Sequence, residues 1–474
     1  MFQTWVHSDS QQGRGIRSSS KMSDASTETT TPAPAANITF TFQEQATASI
    51  ALYSMSLLCI ILGGIRSARY VKRMIGKKKL IEGSITVKEA KKFPITASCV
   101  LFGLYLFFKP DGKAWLMSLG GTYLPPQYSL MINKTLGTSE SNATTSFGPG
   151  IFKKIGSYLP EHIVEFFPEM PELKKEYFMK FLLYMICFQG CVALANLLKP
   201  VFSKILRLLP IGDHWPRFNA PYFVSWKKGK KEMDSDDVED APKKDTEYLL
   251  KIDFDTHDLI ALFFCLSVGI SHVMQRHWIT NNIIGIAFSI YGIEYLHLSS
   301  FKAGSFLLAG LFVYDVFWVF ATDVMTSVAK GIDAPILLQF PQDIFINGWK
   351  DAKKHSMLGL GDIVIPGIFI ALLRRFDLRV IDKAEHKNAK SRFYFHVTII
   401  SYALGLFITM GVMHYFKAAQ PALLYLVPCC LFIPLTFSLI RGEFSALWNY
   451  NEEQFIEKTD EQKKEKVDSK KKNN

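Results

Sequence analysis

Charge is scarce in this chain. Asp, Glu, Lys and Arg supply 20% of its 474 residues, against roughly 25% in soluble chains. That shortage argues against the two or three soluble domains suggested by the length at about 150 residues each. Cysteine pairs in polar loops are also missing. The seven cysteines, Cys59, Cys99, Cys187, Cys191, Cys265, Cys429 and Cys430, all lie in apolar runs. A free thiol behaves there as a small hydrophobe, whereas a disulfide scaffold or zinc ribbon would place its cysteines in loops. The N-terminus lacks the apolar core that follows the basic start of a signal peptide. Residues 1–46 are instead rich in Ser, Thr, Gln, Ala and Pro and read as a disordered tail.

Apolar side chains are what the chain has in excess, at 49%, with aromatics at 14%. They gather into nine runs, at 47–65, 94–109, 178–198, 258–275, 279–298, 303–322, 357–373, 395–416 and 421–440. Several are near the short limit for crossing hydrocarbon. A weaker stretch, 201–211, reads as interfacial. The expected fold is therefore an all-α polytopic membrane protein of about nine transmembrane helices.

The formal net charge is nonetheless +11, and the position of that excess separates a nucleic-acid surface from membrane loops. Loop 66–93 holds ten Lys/Arg and two acids, and loop 374–392 holds seven and three. The positive-inside rule makes both cytosolic. Six helices separate them, an even number, so the two assignments agree. Loop 199–257 has eleven Lys/Arg and eleven acids and is compatible with the same side. The basic excess thus orients the chain and predicts no nucleic-acid partner. It places the N-terminus in the lumen and the C-terminus in the cytosol.

Two further patterns agree with that orientation. Glycosylation sequons begin at Asn37, Asn133 and Asn142, in the N-terminal tail and in the insert 110–177, both expected to be lumenal. The last four residues include Lys471 and Lys472, at the fourth and third positions from the end. They resemble the cytosolic dilysine retrieval signal of endoplasmic-reticulum membrane proteins. The expected division is a tail 1–46, helices one to five over 47–298, helices six to nine over 299–447, and a cytosolic disordered tail 448–474.

Ionisable groups inside hydrocarbon are costly and mark functional sites. Asp315 and Asp362 lie inside the sixth and seventh runs, with no Lys or Arg in either helix interior. At ~1.5 Å per residue they fall roughly 10 and 8 Å from the same membrane face, so consecutive antiparallel helices can bring them together. Like charges in a low dielectric cannot both ionise, so such a pair shares a proton. One carboxylate can then take a proton from water while the other protonates a developing oxyanion. Gly359 and Gly361 lack Cβ and permit close backbone approach, although small residues also serve helix packing. Pro366 has no N–H for the carbonyl of Asp362. Backbone groups left free there would receive an extended peptide by strand addition.

Tyr314-Asp315 and Gly359-Leu360-Gly361-Asp362 resemble two motifs of the presenilin-type intramembrane aspartyl proteases. Gln420-Pro421-Ala422-Leu423 resembles the third. Stretches 276–282, 310–320, 357–373 and 420–428 are most similar to the signal peptide peptidase branch, and the resemblance runs from about 47 to 450. It implies Asp315 and Asp362 as catalytic residues, with Tyr314, Gly359, Leu360, Gly361, Gln420, Pro421, Ala422 and Leu423 shaping the site. It implies no cofactor or metal. Substrates would be type II transmembrane segments, including signal peptides left by signal peptidase, cleaved within the bilayer. Membrane-protein quality control and a homo-oligomeric state are compatible with it. The insert 110–177 looks longer than the family's usual connection.

Other chemistries fit less well. His-Glu-x-x-His is absent, and Gly269-Ile270-Ser271-His272 lacks the last glycine of a rhomboid-type Gly-x-Ser-Gly. Glu294 and His297 form a single Glu-x-x-His, short of a di-iron set, and read as a polar helix-packing pair. Without the three motifs, a transporter holding ions at buried aspartates would be an equal reading. A non-catalytic membrane scaffold or chaperone is a third, and it is compatible with proteolysis.

Overall fold

The computed structural model describes residues 42–77, 81, 84–108, 175–208, 217–228, 247–320, 335–350, 352, 354–378, 392–416 and 420–452. Asn37, Asn133, Asn142, Lys471 and Lys472 lie outside them, as do residues 110–174 of the insert and most of both tails.

Long helices dominate the described residues. They are α1 (Phe42–Gly76), α2 (Val87–Phe108), α3 (Lys175–Leu208), α4 (Thr256–Gln275), α5 (Trp278–Tyr295), α6 (Phe301–Phe320), α7 (Leu360–Leu378), α8 (Phe393–Phe416) and α9 (Leu423–Ile440). Each overlaps one expected run. Six of them, α1, α3, α4, α6, α8 and α9, are long and apolar enough to cross a membrane. The chain is a multi-pass, all-α membrane protein. Helix α6 illustrates why Asp315 is tolerated. An Asp at a helix centre costs about 2.5–3.5 kcal/mol on insertion, while each Phe, Leu or Val returns about 0.3–0.6 kcal/mol. Helix α6 carries eleven such residues, enough to offset one carboxylate.

Some boundaries differ from those expected. Helix α1 begins at Phe42 rather than 47. Residues 201–208 of the stretch read as interfacial continue α3, which runs on through Pro200 to Leu208. Between α4 and α5 only two residues intervene. Arg276 adopts a left-handed conformation (φ 48°) and returns its N–H to the His272 carbonyl, which stops α4. His277 then caps α5 by accepting the Ile279 N–H.

Three short two-stranded ribbons join this helical frame. The pair β1 (Ser84–Ile85) and β4 (His297–Leu298) is parallel. Strands β2 (Pro221–Lys228) and β3 (Glu247–Asp255) form an antiparallel hairpin that leads into α4. At its base Lys199 of α3 contacts Asp255 at 2.8 Å and Asp258 at 2.7 Å. The Lys199 ammonium holds the Asp255 carboxyl below the usual carboxylate range, aided by the Asn219 amide and opposed by partial burial. Strands β5 (Leu337–Pro341) and β6 (His355–Gly359) form a second antiparallel hairpin, and β6 runs directly into α7.

The core surrounds α7. That helix packs on α1, α5 and α8, while α6 packs on α2 and α9. Helices α8 and α9 touch through backbone, since a Cβ on Gly405 would lie 3.1 Å from Leu426 Cα. Glu294 and His297 do not form the expected pair. Glu294 takes Arg66 and Arg73 of α1, while His297 Nδ1 donates to the Tyr295 carbonyl and its ring stacks on Tyr70. Their helical spacing is lost because α5 ends at Tyr295.

The end of the described chain straps across the start of α6 and the end of α7. After α9, Gly442 takes φ +67° and a short helix, Phe444–Trp448, turns back. The Phe301 N–H then donates to the Tyr450 carbonyl, and the Glu452 N–H donates to the Ser299 carbonyl. Arg375 is fully buried and bonds both Glu452 carboxylate oxygens and Ser67 of α1. Residues 448–452, read from the sequence as disordered tail, are therefore part of the packed structure.

Candidate active site

Asp315 and Asp362 come from different helices into one apolar interior. Asp315 sits in the last two turns of α6, and Asp362 is the third residue of α7. Both are buried, at 4% and 3% exposure, and they lie within electrostatic reach of each other. Consecutive helices thus bring together the two groups that the apolar pattern singled out. Two adjacent carboxyls that hold one proton can act as base and acid in turn.

The third motif meets this pair through its backbone. Pro421 and Ala422 open the first turn of α9, with Leu424 N–H on the Pro421 carbonyl and Leu426 N–H on the Ala422 carbonyl. The Leu423 N–H is one of the amides that a helix start leaves unpaired. It donates to Asp315 Oδ2 at 3.3 Å. A helix N-terminus favours negative charge through these amides and its dipole. Pro421, Ala422 and Leu423 are buried, and Gln420 is half-buried.

The loosening at Pro366 takes a different form from the one expected. Helix α7 continues through Pro366. The carbonyl that the proline leaves unbonded, that of Asp362, accepts from the Tyr402 hydroxyl of α8 at 3.2 Å. That carbonyl is thus already paired within the protein. Extended backbone is offered instead one step earlier, where β6 contains Gly359 and Leu360 and Gly361 open α7. Tyr402 is fully buried and was missed in the sequence. Its one signal was a phenol in an apolar run, since a buried hydroxyl requires a partner.

Tyr314 precedes the aspartate and turns into the core beside Trp318, at 6.3 Å between ring centroids. Trp318 in turn donates its indole N–H to Ser98 of α2 at 3.1 Å, so the Asp315 turn of α6 is tied to α2. The β5–β6 hairpin is fixed to α5 by two buried amides. Asn282 Nδ2 donates to the Gln339 carbonyl at 2.6 Å, and Gln339 N–H donates to Asn282 Oδ1 at 2.8 Å. Asn281 Nδ2 donates to the Leu337 carbonyl at 2.6 Å. Among the described residues no group of three or more His, Cys, Asp or Glu stands in position to hold a metal ion.

A helical membrane bundle with two buried acids within electrostatic reach of each other has the layout of an intramembrane aspartic protease. Comparison with known proteins gives the same class. The signal peptide peptidase family model matches residues 77–454, and the chain belongs to that family. It is 58% identical over 448 residues to intramembrane protease 2 of Caenorhabditis elegans, covering 90% of this chain and 95% of that one. It is 35% identical over 408 residues to signal peptide peptidase of Mus musculus and of Homo sapiens, covering 86% of this chain and 84% of each relative. No solved structure matches. The protein is an intramembrane aspartic endopeptidase.

Proposed function

We propose that Asp315 and Asp362 are the catalytic pair and that they cleave type II transmembrane segments, including signal peptides left after signal peptidase has acted. The observation that carries this is the burial of the two carboxyls on α6 and α7 within electrostatic reach of each other, with the first free amide of α9 on Asp315. One carboxylate takes the proton of an attacking water while its partner protonates the carbonyl oxygen of the scissile bond. Gln420, Pro421, Ala422 and Leu423 shape the site by aiming that helix start. Tyr314, Gly359, Leu360 and Gly361 flank the two aspartates.

The substrate backbone must be unwound to react, because a helix hides its amides. The β5–β6 hairpin supports recognition by strand addition, in which an extended peptide pairs with a sheet edge. The edge of β6 lies three residues before Asp362.

In this reading nine helices cross the membrane, with the N-terminus lumenal and the C-terminus cytosolic. Asn37, Asn133 and Asn142 are glycan acceptors, and Lys471 and Lys472 retain the protein in the endoplasmic-reticulum membrane. A homo-oligomeric state and a part in membrane-protein quality control are compatible with it. The test is reconstitution of purified protein in lipid with a type II signal-peptide substrate. Cleavage is expected inside the apolar segment. A transition-state isostere of a hydrated peptide bond should block it, since it mimics the tetrahedral species. Product ends confined to the polar flanks of the segment would count against the reading.

A further inference from the structure

We propose that Asn282, with Asn281 beside it, is a positioning residue that closes one edge of the β5–β6 hairpin and commits an extended substrate to the other edge. This rests on the strand-addition reading above.

A two-stranded ribbon has two outer edges, and each is a template for another strand. In an antiparallel pair, residues alternate between those that bond across the ribbon and those whose N–H and C=O point outward. Gln339 sends both backbone groups to the Asn282 side chain, and Leu337 sends its carbonyl to Asn281. The outward-facing residues of β5 are therefore Leu337 and Gln339. The Asn282 amide meets Gln339 with one donor and one acceptor, the same pair of bonds that a neighbouring strand would make. Helix α5 thus stands in for a third strand on the β5 side.

The register fixes what remains. Gln339 is opposite Met357, and Leu337 is opposite Gly359. Their partners in these pairs share the same orientation, so Met357 and Gly359 direct their N–H and C=O away from β5. Among the described residues no third strand pairs with the outer edge of β6, which ends three residues from Asp362. Both asparagines are buried, at 4% and 5% exposure, so their amides do not exchange these bonds for water. An amide that satisfies one edge from within the protein removes the competing mode, in which substrate adds beside β5 and its scissile bond lies a full strand spacing further from Asp362. That spacing is about 4.8 Å.

Asn282→Asp keeps the acceptor but sets a carboxylate oxygen against the Gln339 carbonyl. Asn282→Ala removes donor and acceptor together and frees both outward backbone groups of Gln339. The experiment uses the full-length protein in lipid nanodiscs. It reads kcat, KM and product masses on a substrate series with single backbone N-methyl groups along the apolar segment. The wild type is expected to lose activity at alternate methylated positions, which is the signature of strand addition. Each variant is expected to lower kcat/KM at least tenfold and to add cleavage positions. Should Asn282→Asp not fold, Asn282→Ala carries the same test. A wild type without alternation would remove the strand-addition premise and this inference with it. Alternation retained in variants that cut at wild-type positions, whether at wild-type or reduced rate, would leave strand addition standing and overturn the role of Asn282.

Discussion

Asp315 and Asp362 are visible in the sequence because ionisable residues break otherwise unbroken apolar runs. What surrounds them is less visible. Pro366 announces that the Asp362 carbonyl lacks its helical partner, but the group that takes it, Tyr402, lies 40 residues away in a run that reads as plain packing. Tyr402→Phe removes that donor and strands a buried carbonyl. A stability loss of about 1–3 kcal/mol is expected, together with a several-fold fall in kcat, checked by thermal unfolding and by cleavage rate. The Lys199–Asp255 pair gives a pH prediction. Asp255 has a folded carboxyl held below its ordinary range, so its contribution is present above the unfolded pKa and is lost as pH falls through the carboxylate range. The pair is partly exposed, so Lys199→Ala should cost no more than about 1 kcal/mol at neutral pH. The gap from wild type should shrink on acidification in a denaturant series.

Among the elements, the helices were legible and the ribbons were not. Each long helix repeats one signal, apolar character, over 18 residues or more. Strands β5 and β6 have five residues each, too few to show alternation, and the second runs into a helix without punctuation. Their partners, Asn281 and Asn282, sit in α5, where two consecutive amides in an apolar run gave no hint of a strand 57 residues on. The meeting of α8 and α9 yields a prediction of its own. Gly405→Val would place a branched side chain against the Leu426 backbone and push α9 away, drawing the Leu423 N–H from Asp315. Overpacking of this kind costs about 1–3 kcal/mol. Activity should fall further than that loss of folded protein explains, as measured by cleavage rate per folded molecule.

Across the whole molecule, the two aspartate helices are held in register from their far ends. Glu452 links the segment before α6, through Ser299, to α7, through Arg375, and the latter also reaches Ser67 of α1. Glu452→Ala leaves a fully buried guanidinium without its carboxylate, a loss of about 3–5 kcal/mol, which unfolding in detergent would register. The opening contrast, few charges yet a net +11, also belongs to this scale. On the proposed reading, the basic residues in loops orient the chain, and its chemistry rests on two acids that the total conceals. The most direct measurement is cleavage of a reconstituted type II signal-peptide substrate by Asp315→Ala and by Asp362→Ala, each first shown to be folded. Both variants are predicted to be inactive while the wild type cuts within the apolar segment. Cleavage at the wild-type position by either folded variant would contradict the assignment of the pair.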